Sequence, residues 1–193
     1  MISFQHKCIF VHIGKTGGSS IEHALDPHVS IDSGISGEIG NTKLEGKHWT
    51  ALEYSKKYPK EYKEYFTFSF VRNPWDRTVS HYEWKIFMGN LKLSFAEWIE
   101  SPMFNALKLS YADMICDHKN SIIVDFVGRF EELQQDFNFV CDKIGIEHIK
   151  LSHKNKIDRK HYFEYYDEKT KKIVEEKYAR DIEHFGYEFN KER

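Results

Sequence analysis

The sequence predicts an α/β protein: a P-loop-like parallel β-sheet flanked by helices on both faces. Three observations carry this. Runs of β-branched and aromatic residues at 7–13, 65–71 and 122–127 read as buried strands. Segments with helical apolar spacing lie between and after them. Two of the strands run straight into polar, helix-opening turns, in FVHIGKTGGSS (10–20) and FTFSFVRNPWDRTVSHY (66–82). Strands separated by helices favour a parallel sheet covered on both sides. Ligands of such sheets bind at the carboxyl ends of the strands. The 193 residues suit a single domain, 1–193, with a sizeable core.

Each element has a local reason. KCIFVHI (7–13) is the first strand, and Gly14 ends it. Lys15, Thr16, Gly17 and Gly18 form a turn, from which Ser19 and Ser20 open a helix to about Leu25. Residues 26–47, with Gly, Ser and Asp throughout, read as a long loop. A helix follows from Thr50 to about Lys57. The strand at 65–71 ends at Arg72. Asn73 is a good N-cap and Pro74 suits the first helical position, so a helix runs to about Phe87. Ser94 and Glu97 make a capping box for a helix to about Glu100. After the third strand, 122–127, residues 131–144 carry Leu133, Phe137, Val140 and Ile144 at helical spacing, and Gly145 stops that helix. Asp167 N-caps a last long helix with Ile173, Val174, Tyr178 and Ile182 on its inner face.

The two turns have the chemistry of anion sites. Glycines let the backbone turn tightly and approach a ligand, and the N–H groups of a helix's first turn face outward toward it. Lys15 adds a positive charge, and the hydroxyls of Thr16, Ser19 and Ser20 add donors. In the second turn Arg72 is suited to bidentate phosphate binding, and Ser80, two turns into the helix, offers a second donor. Arg77 has Asp76 or another carboxylate as a partner. Two separated anion sites suit a nucleotide with phosphates at both ends. An ordinary ATPase or GTPase loop, G-x-x-x-x-G-K-[ST], requires a glycine where this chain has Ile9, and its glycines follow the lysine instead of preceding it.

KTGGSS and RNPWDRTVSHY together resemble the nucleotide-binding signatures of PAPS-dependent sulfotransferases, PAPS being 3′-phosphoadenosine-5′-phosphosulfate. IIVDFVGRFEELQQDF (122–137) and YYDEKTKKIVEEKYARDIEHFGYEF (165–189) look like later blocks of the branch that includes Golgi-type carbohydrate sulfotransferases and their soluble bacterial relatives. The resemblance implies that Lys15, Thr16, Gly17, Gly18, Ser19 and Ser20 cradle the 5′-phosphosulfate. It implies that Arg72 and Ser80 hold the 3′-phosphate, that PAP is the product, and that no metal is needed. The acceptor it implies is a hydroxyl, a saccharide first. One departure is Gly14, where the family commonly has proline.

Such a transfer needs a group to stabilise the leaving phosphate, for which Lys15 is placed, and a base for the acceptor's proton. Histidine titrates near neutral pH without large tuning. His48, in GKHWTALEY, matches the histidine that serves as proposed base in the glycan-modifying relatives. Its plainer role would be to cap the following helix. His12 and Glu22 are rival bases, and His81 is a residue of core or surface. The basic run HKNKIDRKH (153–161) is a solvated loop or a lid over the nucleotide. Arg129 reads as structural, paired with Glu131 or Glu132. The alternatives are a P-loop phosphotransferase using ATP or GTP, with Asp125 as its one acidic strand-end candidate, or a non-catalytic nucleotide or glycan binder that would need no base.

Composition narrows the rest. A net charge of −2 argues against nucleic acid as the main partner. No apolar run approaches a bilayer span and no signal peptide is evident, so a cytoplasmic enzyme is expected. Three cysteines, Cys8, Cys116 and Cys141, form no disulfide framework.

Overall fold

The computed structural model describes residues 1–26, 38–39, 42–43, 48–107, 110–152 and 157–189. The chain forms two compact units, each from two stretches: Met1–Val71 with Tyr111–Lys154, and Arg72–Ser110 with Asn155–Arg193. In chain order the elements are β1 (Ile2–Ser3), β2 (Cys8–Val11), α1 (Gly18–Leu25), β3 (Glu38–Ile39), β4 (Thr42–Lys43), α2 (Ala51–Lys57), α3 (Pro59–Glu64) and β5 (Phe66–Val71). Then come α4 (Pro74–Phe87), α5 (Phe95–Ile99), α6 (Pro102–Asn105), α7 (Tyr111–Ile115), β6 (Phe126–Arg129), α8 (Leu133–Ile144), α9 (Glu168–Lys177) and α10 (Ala179–Phe185). None of the described helices is long and apolar enough to cross a membrane.

The first unit holds the sheet, in the order β3-β4-β1-β2-β5-β6. Its centre is parallel, as expected: β2 pairs β5 from Cys8↔Phe66 to Val11↔Ser69, and β5 pairs β6 from Phe68↔Phe126 to Val71↔Arg129. The carboxyl ends of β2 and β5 therefore lie on one edge. Beside this centre is an antiparallel extension, β1 on β2, β4 on β1 and β3 on β4. Its strands are two residues each, too short to show a period. Residues 38–39 and 42–43 thus correct the reading of 26–47 as all loop, and the rest of that segment lies outside the described residues.

One face of the sheet presents Cys8, Phe10, Phe68 and Phe70 to Ile21 and Leu25 of α1 and to Phe137, Val140 and Cys141 of α8. Ile9, Val11, Thr67, Ser69 and Val71, of opposite parity, are buried too, which is how a doubly covered parallel sheet reads. A Cβ at Gly128 would come within 2.4 Å of the Phe70 ring, so β6 needs glycine there.

The third strand starts later than its apolar run suggests. Ile122 makes only an isolated bridge to Cys116. The Asp125 carboxylate accepts the Thr67 N–H and hydroxyl, both at 2.8 Å, and the regular ladder begins one residue on. Before α8 the chain makes a 3-10 turn over Phe130–Glu132, so the regular helix opens at Leu133, not 131. Gly145 ends it with φ 71.

The second unit is helical. The Asn73 side chain accepts the N–H groups of Trp75 and Asp76 at 3.1 and 3.2 Å and starts α4 where the sequence places it. Ser94 and Glu97 form the expected capping box on α5. Phe95, Trp98, Tyr82, Tyr165 and Tyr166 pack as an aromatic cluster, with Phe95 and Tyr166 4.9 Å apart. His81 stacks on Trp98 at 6.0 Å and belongs to that cluster. The expected last long helix is two: Tyr178, at φ −112 and ψ 22, separates α9 from α10. The break comes just before Asp181, a buried carboxylate that accepts the Ser110 hydroxyl at 2.8 Å. Val174 and Tyr178 are buried on the inner face, whereas Ile173 and Ile182 are only half-buried.

Candidate functional site

In the first unit the chain leaves β2 and turns through Lys15 with φ 70 and Gly17 with φ 83, both left-handed, on either side of Thr16. Alternation of hand along a turn aims successive N–H groups at one side, which makes an anion-binding nest. The two glycines also answer to packing. A Cβ on Gly17 would lie 2.8 Å from Leu133, and one on Gly18 would lie 2.3 Å from the His12 ring. Gly17 caps α1 without a side-chain bond, and α1 has no acidic residue in its first turn. Those first-turn amides and the dipole of α1 favour an anion. Lys15 and Ser19 are half-buried and Ser20 is buried. The Thr16 hydroxyl, a candidate donor from sequence, donates to the Ile13 carbonyl at 2.7 Å and closes the turn.

His48 stands beside this turn in the same unit. Its Nδ1 lies 3.3 Å from the His12 carbonyl oxygen, and the two rings are 5.3 Å apart. A carbonyl only accepts, so in this contact Nδ1–H is the donor. His48 does not cap α2. That work falls to Thr50, whose side chain accepts the Glu53 N–H while Glu53 accepts the Thr50 N–H. His12 and Glu22, the rival bases, are paired with each other: Nδ1 to Oε1 is 2.8 Å, with side chains only 5% and 1% exposed. Burial pushes the His12 pKa below its usual 6.5, against the opposing pull of Glu22.

In the second unit Arg72 is buried at the entry to α4. Its Nε and Nη2 reach Asp76 Oδ2 at 2.8 and 2.7 Å. Arg159, from the basic run, reaches Asp76 Oδ1 at 2.5 Å. Burial would raise the Asp76 pKa, but the two guanidiniums outweigh it and hold the carboxyl below 3.8. Among the described residues, one carboxylate is thus shared by two guanidiniums. Ser80, half-buried, is four residues beyond Asp76 and so on the same helix face.

A profile of the sulfotransferase family matches residues 1–188. The chain belongs to the sulfotransferase family. It is also similar to an uncharacterized protein of Archaeoglobus fulgidus, 41% identical over 85 residues, which are 42% of this chain and 69% of that protein. A crystal structure of a sulfotransferase from Alicyclobacillus acidocaldarius aligns with a TM-score of 0.43 and 19% identity, covering 72% of this chain. The chain spans 60% of that sulfotransferase's length.

The nest thus gathers Lys15 to Ser20 with His48, and the Arg72 site gathers Asp76 and Arg159 on the face that bears Ser80. Reading the sequence missed the sharing of Asp76. Its one available signal was the i, i+4 spacing of Arg72 and Asp76, because the tie to Arg159 crosses 83 positions. The pairing of His12 with Glu22 has no local signal either, because it joins a strand end to a helix ten positions on.

Proposed function

We propose that this chain moves the sulfuryl group of PAPS to a hydroxyl of an acceptor, a saccharide, by in-line displacement. The observation that carries this is the left-handed turn at Lys15 and Gly17 on the N-terminus of α1, in a chain of the sulfotransferase family. Each unit, taken by itself, offers groups suited to one end of a nucleotide that is anionic at both ends. The nest, Lys15, Ser19 and Ser20 suit a 5′-phosphosulfate, and the Thr16 amide lies within that turn. Arg72 and Ser80, with Arg159 beside them on Asp76, suit a 3′-phosphate.

Bound PAPS supplies an activated sulfuryl group on a phosphate leaving group. Lys15 neutralises the charge that grows on the leaving oxygen. His48 accepts the acceptor's proton at Nε2, while its Nδ1–H stays on the His12 carbonyl. Asp125, the metal-holding candidate of the phosphotransferase reading, is bonded to Thr67 across β5 and β6, which favours sulfuryl transfer over that alternative.

Calorimetry and thermal melts with PAP, and separately with ATP and Mg²⁺, test this. PAP should bind without added metal and stabilise the protein by about 2.7 kcal/mol at a hundredfold excess over Kd. Stabilisation by ATP with Mg²⁺ and none by PAP would overturn the assignment.

A further inference from the structure

We infer that the buried Glu22–His12 pair is a positioning device for His48, an inference that rests on the reading of His48 as the base. The His12 ring is held on three sides. Its Nδ1 bonds Glu22 Oε1 at 2.8 Å. It stacks on Phe10, with centroids 5.5 Å apart and planes 18° from parallel. Its Cδ2–Nε2 edge lies so close to Gly18 that any Cβ there would come within 2.3 Å. A ring fixed by a buried carboxylate, an aromatic face and the first residue of α1 has one orientation available. The backbone that carries it is held in the same way.

That backbone presents the His12 carbonyl to His48 Nδ1 at 3.3 Å. His48 is itself exposed, and a neutral histidine ring in water favours the other tautomer, protonated at Nε2. The carbonyl selects the form protonated at Nδ1 and leaves the Nε2 lone pair to meet a hydroxyl proton. His12 therefore joins two tasks: its ring backs the first residue of the anion-binding helix, and its carbonyl sets the protonation of the base. Glu22 acts through His12 and is a positioning residue. It is buried and bonded to His12.

The test uses the full chain with ¹⁵N labels on its histidine rings. In the wild type, the His48 resonances should report the neutral tautomer protonated at Nδ1. Glu22→Ala should shift His48 toward a tautomer mixture and lower kcat about 10–100-fold, with KM for PAPS nearly unchanged. Glu22→Gln keeps an oxygen acceptor in place and should restore both the tautomer and most of the lost turnover. An unchanged His48 tautomer in folded Glu22→Ala would overturn the inference, as would Glu22→Gln being as damaging as Glu22→Ala. Should Glu22→Ala fail to fold, Gly18→Ala presses on the His12 ring from the other side and keeps the buried pair. It should disturb the same resonances, and unaltered ones would count against the inference. The tautomer is read without turnover, so a failure of His48 as the base, seen as retained activity in His48→Ala, is a separate result.

Discussion

The Lys15 turn and the Arg72 turn each follow a strand of the parallel pair β2 and β5, yet they are built from different materials. The first is a backbone object. It has left-handed residues at Lys15 and Gly17, and glycine positions that press on Leu133 and His12. No acid lies in the first turn of its helix. The second is a side-chain object, two guanidiniums already bonded to Asp76. An anion entering the second turn competes with the Asp76 carboxylate. Under the proposed function the backbone site would position the reacting group and the guanidinium site would read the ligand's charge.

The largest expected effect tests whether chemistry belongs to the first turn alone. His48→Ala should lower turnover by about 10²–10⁴ while PAP affinity and melting temperature stay near wild type. An equal loss of kcat in Arg72→Ala at saturating PAPS would break the division of labour. Next in size, Arg72→Ala should weaken PAP by roughly 2–3 kcal/mol and adenosine-5′-phosphosulfate, which lacks the 3′-phosphate, far less. Equal losses, measured by calorimetry, would make Arg72 structural. Lys15→Ala should show the crossed pattern, with turnover falling more than PAP affinity.

The smallest effect concerns Asp76. Its carboxyl is held below 3.8 by Arg72 and Arg159, so the ionised form is favoured in the folded state. That contribution is fully present above about pH 4 and is lost as pH falls through the depressed value. Asp76→Asn should therefore have the flatter acid limb in melts taken from pH 6 downward. Identical limbs would mean that the two guanidiniums draw nothing from sharing the acid.

The parallel centre was legible because its strands are long enough to show their apolar runs, and the turns because Gly, Ser, Asn and Pro name their own geometry. The helix stop at Gly145 and the starts at Asn73 and Ser94 follow from the same local chemistry. The two-residue strands at 2–3, 38–39 and 42–43 carry no such pattern, and they add one after another beside β2. Asp125 delayed the third strand through a contact with Thr67, 58 positions away. The split at Tyr178 likewise has no breaker residue to announce it. In the site, KTGGSS and Arg72 stood out through their residue types. The ties His12–Glu22 and Arg159–Asp76 join residues whose types are common and whose meeting depends on the fold.

The hand of the backbone at Lys15 carries a cost in stability. An L-residue other than glycine at φ 70 sits on the costly side of the conformational map, by about 1 kcal/mol. Glycine would relieve that strain at the expense of the interactions that Lys15 makes. Lys15→Gly is expected to melt at a higher temperature and to turn over more slowly, the two quantities moving in opposite directions. A drop in both would mean that the lysine side chain stabilises the fold, and that no trade between robustness and catalysis operates at the turn.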